Sequence, residues 1–131
     1  MPNKNRNTEN QSVANYDEVV LARLVVESLQ EKKALDLCEL NFKEVTTQPL
    51  FDTFILCSAT SRTHADALCD NVMRRLYEQL HIEPVHCEGR EQSEWILIDY
   101  FNVVVHIFLA EKRRFYDLEG LWNDASVQRF E

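Results

Sequence analysis

Hydrophobic positions change period several times along the chain, and each change predicts an element. Leu21, Leu24, Val25 and Leu29 recur at i, i+3, i+4 and i+8, which places one apolar stripe on a helix. Asn15, with Glu18 three residues on, resembles a capping box that opens this helix, and its end is expected near Lys33. Leu35–Leu40 is short and partly alternating, as in a strand. Thr46-Thr47-Gln48-Pro49 reads as a loop, because a proline turns the preceding residue away from helical geometry. Thr53–Cys57 is a near-continuous apolar run, the pattern of a strand covered on both faces. Ser61 is suited to cap the long amphipathic helix that follows, marked by Ala65, Leu68, Cys69, Val72, Leu76 and Leu80.

The second half of the chain is richer in strands. Pro84–Cys87 predicts the start of a strand, Glu88–Gln92 a turn, and Glu94–Tyr100 and Val103–Leu109 two further strands. Glu111–Trp122 reads as a short helix or turn segment. The order is therefore α-β-β-α-β-β-β-α. Helices and strands that do not alternate strictly predict an α/β (α+β) fold, a mixed β-sheet of about five strands with helices mainly on one face. Residues 1–15 are polar and asparagine-rich and are expected to be a flexible tail; 16–125 form the domain, and 126–131 a C-terminal tail.

The two strands around Phe101 carry the sharpest prediction. A two-residue turn at Phe101-Asn102 pairs Tyr100 with Val103, Ile98 with Val105 and Ile96 with Ile107. That face is almost entirely aliphatic and suits burial under the helices. The other face pairs Asp99 with Val104, Leu97 with His106 and Trp95 with Phe108. Aromatic residues beside a few polar ones resemble the centre of a binding patch. The competing reading is plain packing, with Trp95 and Phe108 covered by Phe115, Tyr116, Leu118 and Trp122, and His106 a satisfied core histidine. Lys112-Arg113-Arg114 reads as a solvated helix face, with Arg113 paired to an acidic neighbour.

Composition narrows the function. The 131 residues favour one domain, and 45% hydrophobic content with two glycines and three prolines fits a packed core. A net charge of −8 repels phosphate backbones, so direct grip on nucleic acid is disfavoured. Cys38, Cys57, Cys69 and Cys87 have no CxxC spacing and read as free thiols in a reducing compartment, which points to the cytoplasm. No apolar stretch approaches the ~20 residues that cross a bilayer, so no membrane partner is expected.

Enzymatic chemistry finds few footholds. The sequence contains no Gly-x-Ser-x-Gly elbow, phosphate-binding loop or GxGxxG. Asp99 and His106 lie on one diagonal and define the alternative reading, a nucleotidyltransferase-like or hydrolytic enzyme. Two-metal nucleotidyl transfer needs an Asp-x-Asp pair, which is lacking. Adjacent His86 and Cys87 point to opposite sides of a strand, which argues against a shared metal. No metal or cofactor is expected.

The chain carries, in order, Asp52-Thr53-Phe54-Ile55, Cys57-Ser58-Ala59-Thr60-Ser61, Glu88-Gly89, Trp95-x-Leu97-x-Asp99-Tyr100, Val105-His106-x-Phe108 and Arg113-x-Phe115-Tyr116-x-Leu118-Glu119-x-Leu121-Trp122. These motifs resemble those of a known family, the ribosomal silencing factors or Iojap family. Their joint order and spacing, from Tyr16 to Ala125, make the match specific. The resemblance implies a non-enzymatic protein with a nucleotidyltransferase-like topology that lacks the active site. It implies binding to the large ribosomal subunit through its ribosomal protein fourteen, which blocks small-subunit joining and represses translation in starvation. The partner-binding residues are then expected to be Trp95, Leu97, Asp99, Tyr100, His106, Phe108 and Tyr116, and the same face could also serve a homodimer. Family members often have Gly where this chain has Ala59 and Phe101. A glycine at 101 would supply positive φ in the turn, and here Asn102 is expected to carry that conformation.

Overall fold

The computed structural model describes residues 18–42, 52–116 and 126–130, with the backbone alone for 114–116 and 126. The N-terminal tail, the Thr46–Pro49 loop and Trp122 lie outside the described residues. The elements are α1 (Glu18–Glu31), β1 (Leu35–Asn41), β2 (Thr53–Ala59), α2 (Arg62–Leu80), β3 (His86–Glu88), β4 (Trp95–Asp99), β5 (Val103–Leu109), a 3₁₀ segment (Ala110–Tyr116) and β6 (Ser126–Arg129).

One six-stranded mixed sheet has the order β3-β4-β5-β2-β1-β6. Among the described strands only β2 and β5 pair in parallel, and both are buried along their whole length. The continuous apolar run at 53–57 follows from that central position. The sixth strand corrects the expectation of a C-terminal tail. Ser126–Arg129 pairs antiparallel with β1, and Phe130 N donates to Leu37 O at 2.8 Å. The predicted final helix is a 3₁₀ segment over its described part.

Both helices lie on one face. Leu21, Val25 and Leu29 of α1 and Ala65, Leu68, Val72 and Leu76 of α2 share a core with Ile55, Ile96, Ile98, Val105 and Ile107. Asn71 fastens the helices together, donating to Ser28 O at 2.7 Å and Glu31 Oε1 at 2.9 Å. Ser61 caps α2 as expected, its hydroxyl accepting from His64 N at 3.0 Å. Without a glycine at its end, α2 closes on His81 in the left-handed conformation, with His81 N donating to Tyr77 O. α1 turns the same way at Lys33, with φ of 61°.

Among the described residues, the second face of the sheet has no helix residue in its core. Cys38, Leu40, Phe42, Phe54, Leu56, Val104 and Phe108 pack there, with Trp95 and Leu97 at the margin.

Candidate functional site

The β4–β5 register pairs Trp95 with Phe108, Ile96 with Ile107, Leu97 with His106, Ile98 with Val105 and Asp99 with Val104. The two faces therefore divide as the alternation predicts. Ile96, Ile98, Val105 and Ile107 meet the helices, while Trp95, Leu97, His106 and Phe108 lie on the helix-free face. Tyr100 is the correction. Counting by twos from Ile96 puts its ring among the helix-side core, and it is 1% exposed. It cannot present a contact surface there. Its hydroxyl has no hydrogen-bond partner among the described residues, and burial raises its pKa.

The helix-free face is graded in depth. Phe108 and His106 are buried, whereas Trp95, Leu97 and Asp99 on β4 are half-buried. β5 sits deeper because it is flanked by β2 and β4, and the 3₁₀ segment that follows it packs on β5 and β2. Among the described residues, exposure on this face is thus concentrated on β4, with His106 and Phe108 behind it. Trp95 stacks on Phe108 with ring centres 5.2 Å apart, and Phe54 meets His106 edge-on at 4.4 Å. Tyr116 ends the 3₁₀ segment, and its side chain lies outside the described residues.

Two of the polar groups on this face are held by local hydrogen bonds. Trp95 Nε1 donates to His106 Nδ1 at 3.0 Å. Burial pushes the His106 pKa down to about 4, so the ring is neutral. Asp99 accepts from Phe101 N at 2.8 Å and stabilises the turn. Asp99 and His106 make no hydrogen bond to each other. His106 Nε2 is buried without a partner among the described residues, so neither an orienting carboxylate nor a nucleophile completes a dyad. His86 pairs with Glu88 at 2.8 Å, and among the described residues no group of three His, Cys, Asp or Glu stands close enough to hold a metal.

Three residues support the site in ways the sequence pattern does not predict. Gly89 has φ of 91°, and a Cβ there would lie 2.0 Å from Trp95 O, so only glycine lets this turn lie against β4. Arg90 reaches from the same turn to Asp66 and, at 2.8 Å, to Asp70 on α2. Arg113 does not head a solvated face. It is half-buried, donating to Asp36 O at 2.7 Å and Ser58 Oγ at 2.9 Å, so it ties the 3₁₀ segment to β1 and β2. The glycine's place beside Glu88 in the family motif was the available signal for the first of these.

Phe101, not Asn102, takes the positive φ, at 79°. Asn102 N donates to Tyr100 O at 3.0 Å and Tyr100 N to Val103 O at 2.8 Å, which closes a tight turn around Phe101. Asn102 is held instead by its carbonyl, which accepts from Asp52 N and Thr53 N.

Fold and site together define a mixed-sheet domain whose notable surface is a packed aromatic ridge. Within it Trp95 and His106 hold each other and Asp99 holds the turn at Phe101. The chain belongs to the ribosomal silencing factor family: the family model described as "Ribosomal silencing factor during starvation" matches residues 14–131. It is 36% identical to the ribosomal silencing factor RsfS of Halalkalibacterium halodurans, over 85% of this chain and 92% of that protein. Its identity to the ribosomal silencing factor RsfS of Chromobacterium violaceum is 35%, over 78% of this chain and 81% of the relative. The crystal structure of a protein from Chromobacterium violaceum superposes with a TM-score of 0.76 at 33% identity, covering 82% of this chain and 88% of the other. Membership assigns the chain to ribosome silencing and translation regulation. Among the described residues no helix is long and apolar enough to cross a membrane.

Proposed function

We propose that the chain binds the large ribosomal subunit through its ribosomal protein fourteen, in the cytoplasm, and sterically blocks association with the small subunit during starvation. The observation that carries this reading is the β4 ridge of Trp95, Leu97 and Asp99. The ridge is half-buried in the free chain, and His106 and Phe108 hold its indole from behind. A pre-positioned aromatic side chain loses little conformational freedom on docking, which makes it an efficient anchor. The net charge of −8 favours a grip on a basic protein surface over one on ribosomal RNA. Tyr116, on the segment that follows β5, is included in the docking surface as a second aromatic contact.

Co-sedimentation with purified large subunits tests the binding step. Wild-type chain is expected to travel with the large subunit, and Trp95→Ala is expected to be left at the top of the gradient while its circular dichroism stays native. Equal co-sedimentation of both would remove Trp95 from the interface. Self-association through the same ridge is the second reading. Concentration-dependent sedimentation of the chain alone, abolished by Trp95→Ala, would favour it.

A further inference from the structure

A separate cavity lies on the helix side of the sheet, away from the β4 ridge. It has a volume of ≈ 410 Å³ and opens between α1 and the β1–β6 end of the sheet. Val19, Ala22 and Val26 of α1 line one wall, and Glu39, Thr53 and Gln128 lie on the floor. The strand register explains that floor. Leu37 and Ile55 face the helices, so Glu39 and Thr53, each two residues away on its strand, face the same way. Glu39 lies opposite Ile55 on one side and Gln128 on the other. Glu39 and Thr53 are therefore diagonal neighbours across β1 and β2.

Two of the floor groups lack partners among the described residues. Thr53 is 3% exposed, and its hydroxyl makes no hydrogen bond there. Glu39 is half-buried, and its carboxylate has neither a donor nor a cation. Arg23 also lines the cavity but forms no ion pair with Glu39. Burial, and after it the Glu18 carboxylate, raises the Glu39 pKa. A carboxylate drawn from water without donors costs stability, and a bound donor would remove that cost.

The lining specifies the donor. Glu39 calls for a positive charge, and the oxygens of Thr53 and Gln128 call for further N–H groups. A primary ammonium supplies one charge and three donors in one compact group. The aliphatic wall of α1 suits a short alkyl stem. Among the described residues no three His, Cys, Asp or Glu stand close enough to hold a metal ion, which favours an organic cation. We propose that this cavity is a binding site for a small aliphatic primary amine, its ammonium between Glu39 and Thr53 and its stem along Val19, Ala22 and Val26. The site does not depend on docking to the ribosome, since Trp95 lies on the opposite face of the sheet.

Titration of the isotope-labelled full chain with n-butylamine near neutral pH, followed by backbone amide shifts, tests the proposal. Wild type is expected to show saturable shifts centred on Glu39, Thr53 and Gln128. n-Butanol, which has the stem without the charge, is expected to leave them unmoved at the same concentrations. Glu39→Gln is expected to keep its native circular dichroism and to bind the amine about tenfold more weakly or less, the effect of losing a charge-assisted pair. Glu78→Gln removes an exposed carboxylate on α2 and is expected to bind as wild type does, which separates the site from general attraction to a chain of net charge −8. Shifts that never saturate, or equal affinity in wild type and Glu39→Gln, would make the amine a diffuse counterion and overturn the proposal. Equal binding of n-butanol, or no shifts at all, would also overturn it. Should Glu39→Gln fail to fold, Thr53→Val keeps the side-chain shape and still decides: weaker binding is expected, and unchanged affinity would refute the site.

Discussion

The indole of Trp95 and the imidazole of His106 are joined across two antiparallel strands by a 3.0 Å hydrogen bond with Trp95 as donor. An indole N–H can only donate, so His106 accepts at Nδ1 and carries its proton on Nε2. Protonating Nδ1 would break the bond and bury a charge. In the fold the His106 pKa is pushed down to about 4 from an ordinary value of 6.5. Between those values the unfolded chain binds a proton that the folded chain does not. Stability from this group is therefore complete above about pH 6.5 and is lost as pH falls towards about 4, by about 3 kcal/mol in all. Urea unfolding of wild type and His106→Gln across this range isolates it. The glutamine keeps an acceptor and does not titrate, so the difference between the two proteins is expected to shrink as pH falls. A constant difference would contradict the assignment. Glu39, whose pKa is raised by burial and by Glu18, acts in the opposite direction but is common to both proteins.

Phe101 holds a φ of 79° with its side chain 57% exposed. A non-glycine residue there carries about 1–3 kcal/mol of strain, and an exposed ring recovers little of it through packing. Phe101→Gly is expected to raise stability by about 1 kcal/mol, read as a higher urea midpoint at unchanged slope. A lower midpoint would mean that the ring makes stabilising contacts.

Gly89 makes the opposite prediction. A Cβ added there would come within 2.0 Å of Trp95 O, which leaves no room for a methyl group, and the contact is with backbone. Gly89→Ala is expected to destabilise by about 2–4 kcal/mol and to displace the start of β4. Trp95 fluorescence and thermal melting check both effects, and a native melting temperature would refute the close approach.

How much of this was legible in the sequence depended on how local the cause was. Alternation over Trp95–Asp99 and Val103–Leu109 predicted the observed register, because period two and a two-residue turn leave few alternatives. The same count placed Tyr100 under the helices, and only its place in the family motif had put it on the docking face. The positive φ was expected at Asn102 because asparagine tolerates it. The turn instead centres on Phe101, where the Asp99 carboxylate captures the backbone N–H. β6 was missed because Ser-Val-Gln-Arg has no strong pattern and is held as an edge strand by β1, far away in sequence. Lys112-Arg113-Arg114 reads as a solvated face with Arg113 paired to an acidic neighbour, whereas Arg113 donates to a backbone carbonyl and a serine hydroxyl. Its role depends on the spatial meeting of Asp36 and Ser58, which no local pattern reveals.

Arg113 should accordingly matter for stability. Removing it leaves the buried Ser58 hydroxyl and the Asp36 carbonyl without their charged donor. Arg113→Ala is expected to cost about 1–3 kcal/mol, and Arg113→Lys to restore part of this, since a single ammonium cannot fork between both acceptors as well. Chemical unfolding of the two variants measures this, and two equal losses would show that the fork is unimportant.

Subunit joining is the most direct measure of the proposed block. Dissociated subunits are mixed with increasing amounts of wild-type or Trp95→Ala chain, returned to joining conditions and resolved on a gradient. Wild type is expected to deplete joined ribosomes in proportion to its binding, and folded Trp95→Ala to need about tenfold more protein or greater, the shift expected for loss of a buried aromatic anchor. Undiminished joined ribosomes at saturating wild-type chain would contradict the steric block itself, and equal depletion by both proteins would contradict docking through the β4 ridge.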